Sequence, residues 1–248
     1  MTATPKPADT RRLYQQVADR IRAVIREGQY EAGSRLPPER ELALQLGVSR
    51  PSLREALIAL EIDGRVEIRM GSGVYVCAPP VAAERHTPAL GESPTELMQA
   101  RATLEGAVVA LAAARVTRAG LDRVADSLAA MKREHARGRM PVEADRRFHL
   151  GIAELAGNTV LVRMVGELFD GRHSPISSRM SGHAETVQTW TVALAEHERI
   201  YRALEARDPQ AATAAMFMHL RASEERWVSE PAASIESAPA FPTIKERP

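Results

Sequence analysis

Between Ala78 and Pro94 the chain carries Pro79, Pro80, Pro88, Gly91 and Pro94, a density of breaker residues that no helix or strand survives. This stretch constrains the fold more than any other, because the residue pattern differs on its two sides. Before it, helical periodicity gives way to alternation; after it, helical periodicity continues alone. A domain boundary is therefore expected there, with one domain over 11–77, a connection over 78–94 and a second domain over 95–230. Residues 1–10, with three threonines and two prolines, and residues 231–248, which include PAASIESAPAFPT, show no periodicity and are expected to be disordered.

The chain can build a core on each side of that boundary. It has 248 residues, 44% hydrophobic and 26% charged, as in globular proteins. Only 4% are aromatic, so strands should be few and close-packed helices many. The longest apolar run, Ala107 to Ala114, is far shorter than the roughly 18 residues of a membrane span, and MTATPKPADTRR lacks the apolar middle of a signal peptide. No membrane association and a cytoplasmic location are expected. The single cysteine, Cys77, excludes an internal disulfide and any zinc site of several thiolates, so a metal here must use histidine and carboxylate.

In the first domain, Leu13, Val17, Ile21, Val24 and Ile25 recur at helical spacing before the turn residues Gly28 and Gly33. A short second helix is expected after Pro37 and Pro38. Gly47 and Val48 make a tight turn to Ser49, a good N-cap for a third helix with Leu53, Ala56, Leu57 and Leu60 on one face and Arg50, Ser52 and Arg54 on the other. Val66 and Ile68 then alternate with polar residues, Gly71 to Gly73 supplies a turn, and Val74 and Val76 complete a half-buried hairpin. Two helices joined by a tight glycine turn, with a hairpin behind them, make a winged helix-turn-helix. Residues 1–77 hold 12 basic and 10 acidic side chains, so DNA binding must rest on a few positioned arginines rather than on a broad field.

The run from LYQQVADRIRAVIREGQY through GSRLPPERELA, LGVSRPSLREAL and the GSG wing resembles the winged helix-turn-helix of the GntR family along its whole length. The resemblance implies DNA contacts from Arg40, from Ser49, Arg50, Ser52 and Arg54, and from Met70 and Gly71 at the wing tip. Arginines fork to guanine or clamp phosphates, hydroxyls suit phosphate oxygens, and a glycine tip admits backbone to the minor groove. Pro51 departs from the hydroxyl residue found in many relatives, and Met70 offers no polar group.

From Thr95 to about Val228 the pattern reads as an antiparallel bundle of six helices, making the whole chain mainly α. Leu97, Leu104, Val108 and Leu111 share one face; Val160, Met164, Val165 and Leu168 share another. Asp145 and His149, four apart, project from one helix face. His197 precedes Asp208 by eleven residues and His219 follows it by eleven, so a turn at Asp208-Pro209 sets both imidazoles at one height. One carboxylate and three imidazoles suit Zn²⁺, Ni²⁺, Mn²⁺ or Fe²⁺. A lone histidine in a helix is more often a surface or hydrogen-bonded residue than a ligand.

The same segments, ADRRFHLGIAELAGN, AEHERIYRALEARDPQAA and AAMFMHL, resemble the metal-containing ligand domain, FCD, of the FadR subfamily, which implies that Asp145, His149, His197 and His219 are the ligands. Arg101 and Glu105 read from spacing alone as an i,i+4 ion pair. The resemblance implies that Arg101 holds the carboxylate of a small organic acid, with Glu105 beside it. LVRMVGELFDGRHSPISSRM is similar to segments of regulators of hexuronate catabolism, which puts a sugar acid first as the effector, ahead of lactate-like or dicarboxylic acids, and adds Arg172 and His173 as secondary pocket candidates. The expected partners are an operator duplex, that acid and a second copy of the chain. Two other readings stand beside this one: a DNA-binding protein whose metal is only structural, and a metal-dependent enzyme, although no general base or oxyanion donor stands beside the ligands.

Overall fold

The computed structural model describes residues 12–27, 29–78 and 89–228, and these fall into two compact units, one ending at residue 78 and one starting at residue 89. The tails expected to be disordered, the turn at Gly28 and residues 79–88 of the connection lie outside the described residues. The end of the connection is ordered structure: Leu90 O accepts from Ile176 N at 3.1 Å, and Gly91, at φ +99°, lies so close to Ser174 that a Cβ would meet its side chain at 2.4 Å.

The first unit is a winged helix-turn-helix. It runs α1 (Leu13–Arg26), α2 (Glu39–Leu46), α3 (Arg50–Ile62), β1 (Val66–Arg69) and β2 (Gly73–Val76). Gly47, at φ +66°, reverses the chain between α2 and α3, a left-handed conformation that favours glycine. Ser49 then caps α3 by accepting from Ser52 N. The hairpin pairs Val66 with Val76 and Arg69 with Gly73. A further extended run lies on its open edge, with Gly33 N donating to Val76 O and Leu36 N to Val74 O, both at 2.8 Å. The core gathers Val17 and Ile21 from α1, Leu42 from α2, and Leu53, Leu57 and Leu60 from α3. Tyr14 is buried where Leu13 was expected, and Leu13 is exposed.

The second unit is all helical: α4 (Pro94–Arg115), α5 (Arg118–Ala136), α6 (Val142–Leu155), α7 (Thr159–Asp170), α8 (Pro175–Ala184), α9 (Val187–Glu205) and α10 (Pro209–Val228), with a 3₁₀ turn at Gly171–His173. Seven α-helices stand where six were expected. The additional one, α8, buries only Ile176, Ser177 and Met180, a stripe too short to show as periodicity, and is started by Ser174 and Pro175. α4 is the hub, packed against α6, α7, α8, α9 and α10. By length and composition it would cross a membrane, but half of its apolar window is buried inside the unit, the ordinary state of a core helix. Leu111, Val160 and Met164, expected on buried faces, are exposed on α4 and α7. Their neighbours Leu104, Leu161 and Val162 are half-buried against the cluster of Val108, Ala153, Ala156 and Val165.

Candidate metal centre

Helical geometry brings the four ligand candidates together. Asp145 and His149 lie one turn apart on α6, His197 on α9 and His219 on α10, and all four are buried. Asp208 accepts from the amides of Gln210 and Ala211 at 3.0 Å, capping α10 and folding it back on α9. The rings of His197 and His219 are consequently 4.2 Å apart between centroids, and His149 is 5.6 Å from each. One ligand atom from each of the four residues lies within 4.8 Å of the others, so modest contraction would reach the ~2.0–2.2 Å bonds of a transition ion.

Each imidazole is held from behind through Nδ1. His149 donates to Glu105 Oε2, His197 to Ala193 O at 2.7 Å, and His219 to Glu196 Oε2 at 2.8 Å. Carboxylate and carbonyl oxygens only accept, so Nδ1 carries a proton in each ring, and each ring in its neutral form turns an Nε2 lone pair to the centre. Nε2 of His149, Nε2 of His197 and Oδ1 of Asp145 are buried with no hydrogen-bond partner, although His197 Nε2 and Asp145 Oδ1 are 2.7 Å apart. Two lone pairs that close require a cation or a proton between them. The donor set thus fits a borderline divalent ion on the grounds of its own chemistry.

The same contacts set the charges of these groups. Burial by itself disfavours the Asp145 carboxylate, but the imidazoles of His149 and His197 outweigh it and hold the group well below its usual range. His149 is likewise opposed by burial, yet Glu105 and Asp145 raise it to about 9. His219 is pushed the other way, to about 3, by burial and then by the neighbouring His197. Glu105 and Glu196, which burial alone would raise, both drop to about 2 beside their arginine and histidine partners. Arg226 pairs with both oxygens of Glu196 at 2.8 and 3.0 Å.

Beside this cluster opens a cavity of about 470 Å³, mouth included, whose wall holds Arg101, Asp145, Arg172, Trp190, His197 and His219 among others. Arg101 is buried; its Nε donates to Glu105 Oε1 at 2.7 Å, while its Nη2 has no acceptor. Glu105 therefore bridges Arg101 and His149, a role that spacing alone did not reveal. Arg172 also reaches the wall, donating to Glu185 Oε1 at 2.7 Å and to Asp145 Oδ2 at 3.4 Å. His173 does not: it is exposed and absent from the wall, because successive residues of a 3₁₀ turn point about 120° apart and Arg172 takes the inward direction. Glu185, Glu196, Trp190 and Trp227 were not expected: the last three are lone polar or aromatic residues on helices and Glu185 stands in the connection between α8 and α9, with no sequence signal beyond that.

In the first unit, Arg40, Ser49 and Arg50 are exposed, Ser52 is half-buried, and Met70 and Gly71 form the exposed tip of the hairpin, Gly71 at φ +70°. Arg54 is a correction. It is 3% exposed and donates through Nη1 to Glu39 Oε1 at 2.8 Å, instead of lying on an outward face. α3 is packed against α1, α2 and β1, so only its two ends reach solvent and Leu53 to Leu60 are buried all round.

Comparison with known proteins decides the family. Residues 13–76 match the model described as "Bacterial regulatory proteins, gntR family", and residues 96–222 match the FCD domain. The chain belongs to the GntR family and carries an FCD domain. It is 36% identical over 222 residues to the Uxu operon transcriptional regulator of Escherichia coli K12, covering 87% of this chain and 86% of that one. It is equally 36% identical to the Exu regulon transcriptional regulator of the same strain, over 86% of this chain and 83% of that one. A regulatory protein named for the L-lactate dehydrogenase operon of that strain is 32% identical, over 85% and 84%. This GntR-family chain is thus a DNA-binding regulator and not an enzyme, with a candidate metal site in its FCD domain.

Proposed function

We propose that this regulator is a cytoplasmic, dimeric repressor of the FadR subfamily, whose operator affinity is controlled by a sugar acid bound at a metal site. In this reading, residues 11–77 bind DNA, 95–230 sense the acid and 78–94 couple them. The carrying observation is the coincidence of three buried ligand-type atoms without a hydrogen-bond partner, on Asp145, His149 and His197, with an unpartnered guanidinium donor on Arg101 beside them. Asp145, His149, His197 and His219 would hold Zn²⁺, Ni²⁺, Mn²⁺ or Fe²⁺, and the bound ion would supply open coordination positions to oxygen donors. Arg101 offers Nη2 to the acid's carboxylate, a charge-assisted bond that favours an anion over a neutral sugar. Glu105 orients both Arg101 and His149 and so acts as a positioning residue. Arg172, already engaged by Asp145 and Glu185, lines the same entrance. The Uxu and Exu names of two relatives favour a hexuronate.

On the DNA side, Arg40, Ser49, Arg50 and Ser52 address the major groove and its phosphates, and Met70 and Gly71 the minor groove. One recognition helix reads only a short half-site, so two copies are needed, and the exposed Leu111, Val160 and Met164 support pairing through the bundle. A tenfold change in operator affinity requires only about 1.4 kcal/mol of differential acid binding between two arrangements of the dimer.

The test is an anisotropy titration of operator DNA with metal-loaded protein and D-glucuronate or D-galacturonate. Acid should release the DNA, chelation should abolish that release, and Arg101→Ala should keep metal and DNA while ignoring the acid. Operator affinity that no acid changes, with metal bound in full, would make the ion structural and overturn the effector assignment.

A further inference from the structure

The cavity wall has few uncommitted hydrogen-bonding groups. Arg226 is satisfied by Glu196 and Ser223, Trp227 donates to Glu185 Oε1 at 3.3 Å, and Thr189 closes the N-terminal cap of α9 with Thr186. Apart from the metal-facing atoms, the unpartnered buried wall atoms among the described residues are both donors: Arg101 Nη2 and the indole Nε1 of Trp190. Trp190 is 5% exposed, and its indole N–H finds no acceptor in the protein. A buried N–H without a partner opposes folding, and an apolar side chain would avoid that cost. The group makes sense where a ligand supplies the oxygen.

Its position says which oxygen. Trp190, Ala193 and His197 line the cavity from one face of α9, with Trp190 seven residues, or about 10 Å of helix rise, from the ligand His197. Arg101 stands at the metal end, bonded through Glu105 to His149. The two vacant donors are thus carried by different helices, Arg101 on α4 beside the metal ligands and Trp190 on α9 two turns from His197, an arrangement suited to an acid that extends along the pocket.

We infer that the Trp190 indole N–H is a specificity-determining second anchor. It donates to a hydroxyl or carbonyl oxygen remote from the carboxylate held at Arg101, and so selects long, oxygen-rich acids over two- and three-carbon ones. This rests on the reading of the cavity as the effector site. A neutral donor at that end accepts an uncharged sugar oxygen without demanding a second anionic group.

The chain's two tryptophans, Trp190 and Trp227, both line this cavity, which makes the test direct. Metal-loaded, full-length protein labelled with indole-¹⁵N tryptophan gives two indole N–H resonances, assigned by Trp190→Phe or, should that variant fail to fold, by Trp227→Phe. D-glucuronate should move the Trp190 resonance downfield, while propionate, a carboxylate alone, leaves it in place. By calorimetry Trp190→Phe should bind D-glucuronate about tenfold more weakly, the worth of one buried hydrogen bond, with propionate binding and metal content unchanged. D-glucuronate binding with that resonance unmoved, or an equal loss for both acids in Trp190→Phe, overturns the inference while leaving the effector site intact. Failure of both acids to bind wild-type protein overturns the effector reading itself.

Discussion

Glu105→Gln tests the geometry of the metal centre without touching a ligand. The native carboxylate is 2% exposed and accepts from two donors, Arg101 Nε at 2.7 Å and His149 Nδ1. An amide has one accepting oxygen and one donating nitrogen, so it can satisfy only one of them. If its nitrogen faces Arg101, two donors oppose each other and the guanidinium is left buried without a counter-charge. If its nitrogen faces His149, Nδ1 must become the acceptor and the ring proton moves to Nε2, where it blocks the metal. The second arrangement keeps one hydrogen bond to the guanidinium, so the metal-free variant adopts it and the ion must reverse it. Loss of the buried counter-charge should destabilise the metal-free bundle by about 3–5 kcal/mol. Loss of the outer partner should weaken metal binding by about 10–100-fold, or roughly 1.4–2.7 kcal/mol. Urea unfolding in chelator reads the first quantity, and competition with a chromophoric chelator reads the second. Unchanged metal affinity in a folded variant would refute the claim that Glu105 sets the tautomer of His149.

Two further outcomes follow from the same structure. In the metal-free protein, stability should peak near pH 6.5 and fall on both sides. His149, raised to about 9, contributes stability that is full below 6.5 and is lost as pH rises through 9, whereas His219, pressed down to about 3, penalises the native state progressively from 6.5 downward because only the unfolded chain takes that proton. Urea midpoints across pH 4–10 check this, and an alkaline limb that survives in His149→Gln would refute the assignment. Arg50→Ala and Arg54→Ala should separate: the exposed Arg50 should cost operator affinity without altering the thermal midpoint, while removing the buried partner of Glu39 at Arg54 should destabilise the first unit by about 3–5 kcal/mol. Equal midpoints for both variants, measured without DNA, would contradict the burial of Arg54.

Much of the architecture is written in local spacing. Gly47 followed by Ser49 prescribes a left-handed turn and an N-cap within three residues, and the glycines at 71 and 73 prescribe the wing turn; both signals act over distances the chain itself controls. The metal set is legible for a related reason. Asp145 and His149 share a face by helical geometry alone, and Asp208-Pro209 is a strong enough stop-and-start signal that residues equidistant from it must meet.

Local sequence was thus enough for every helix and strand except α8, for the two turns that bring His197 to His219 and α2 to α3, and for the four ligand candidates, because each depends on bonds and repeats within a few residues. Which polar groups find partners was settled only by packing between distant segments. Arg54 looks outward on an isolated helix but is enclosed once α1, α2 and β1 cover α3. Glu105 looks like half of a surface ion pair until α6 sets His149 against its second oxygen, and Glu196 acquires its role only when α10 presents His219 and Arg226 to it. A side chain's protonation and its hydrogen-bonding duty depend on what other helices place within about 3 Å of it, and that distance is set by packing between segments far apart in the chain.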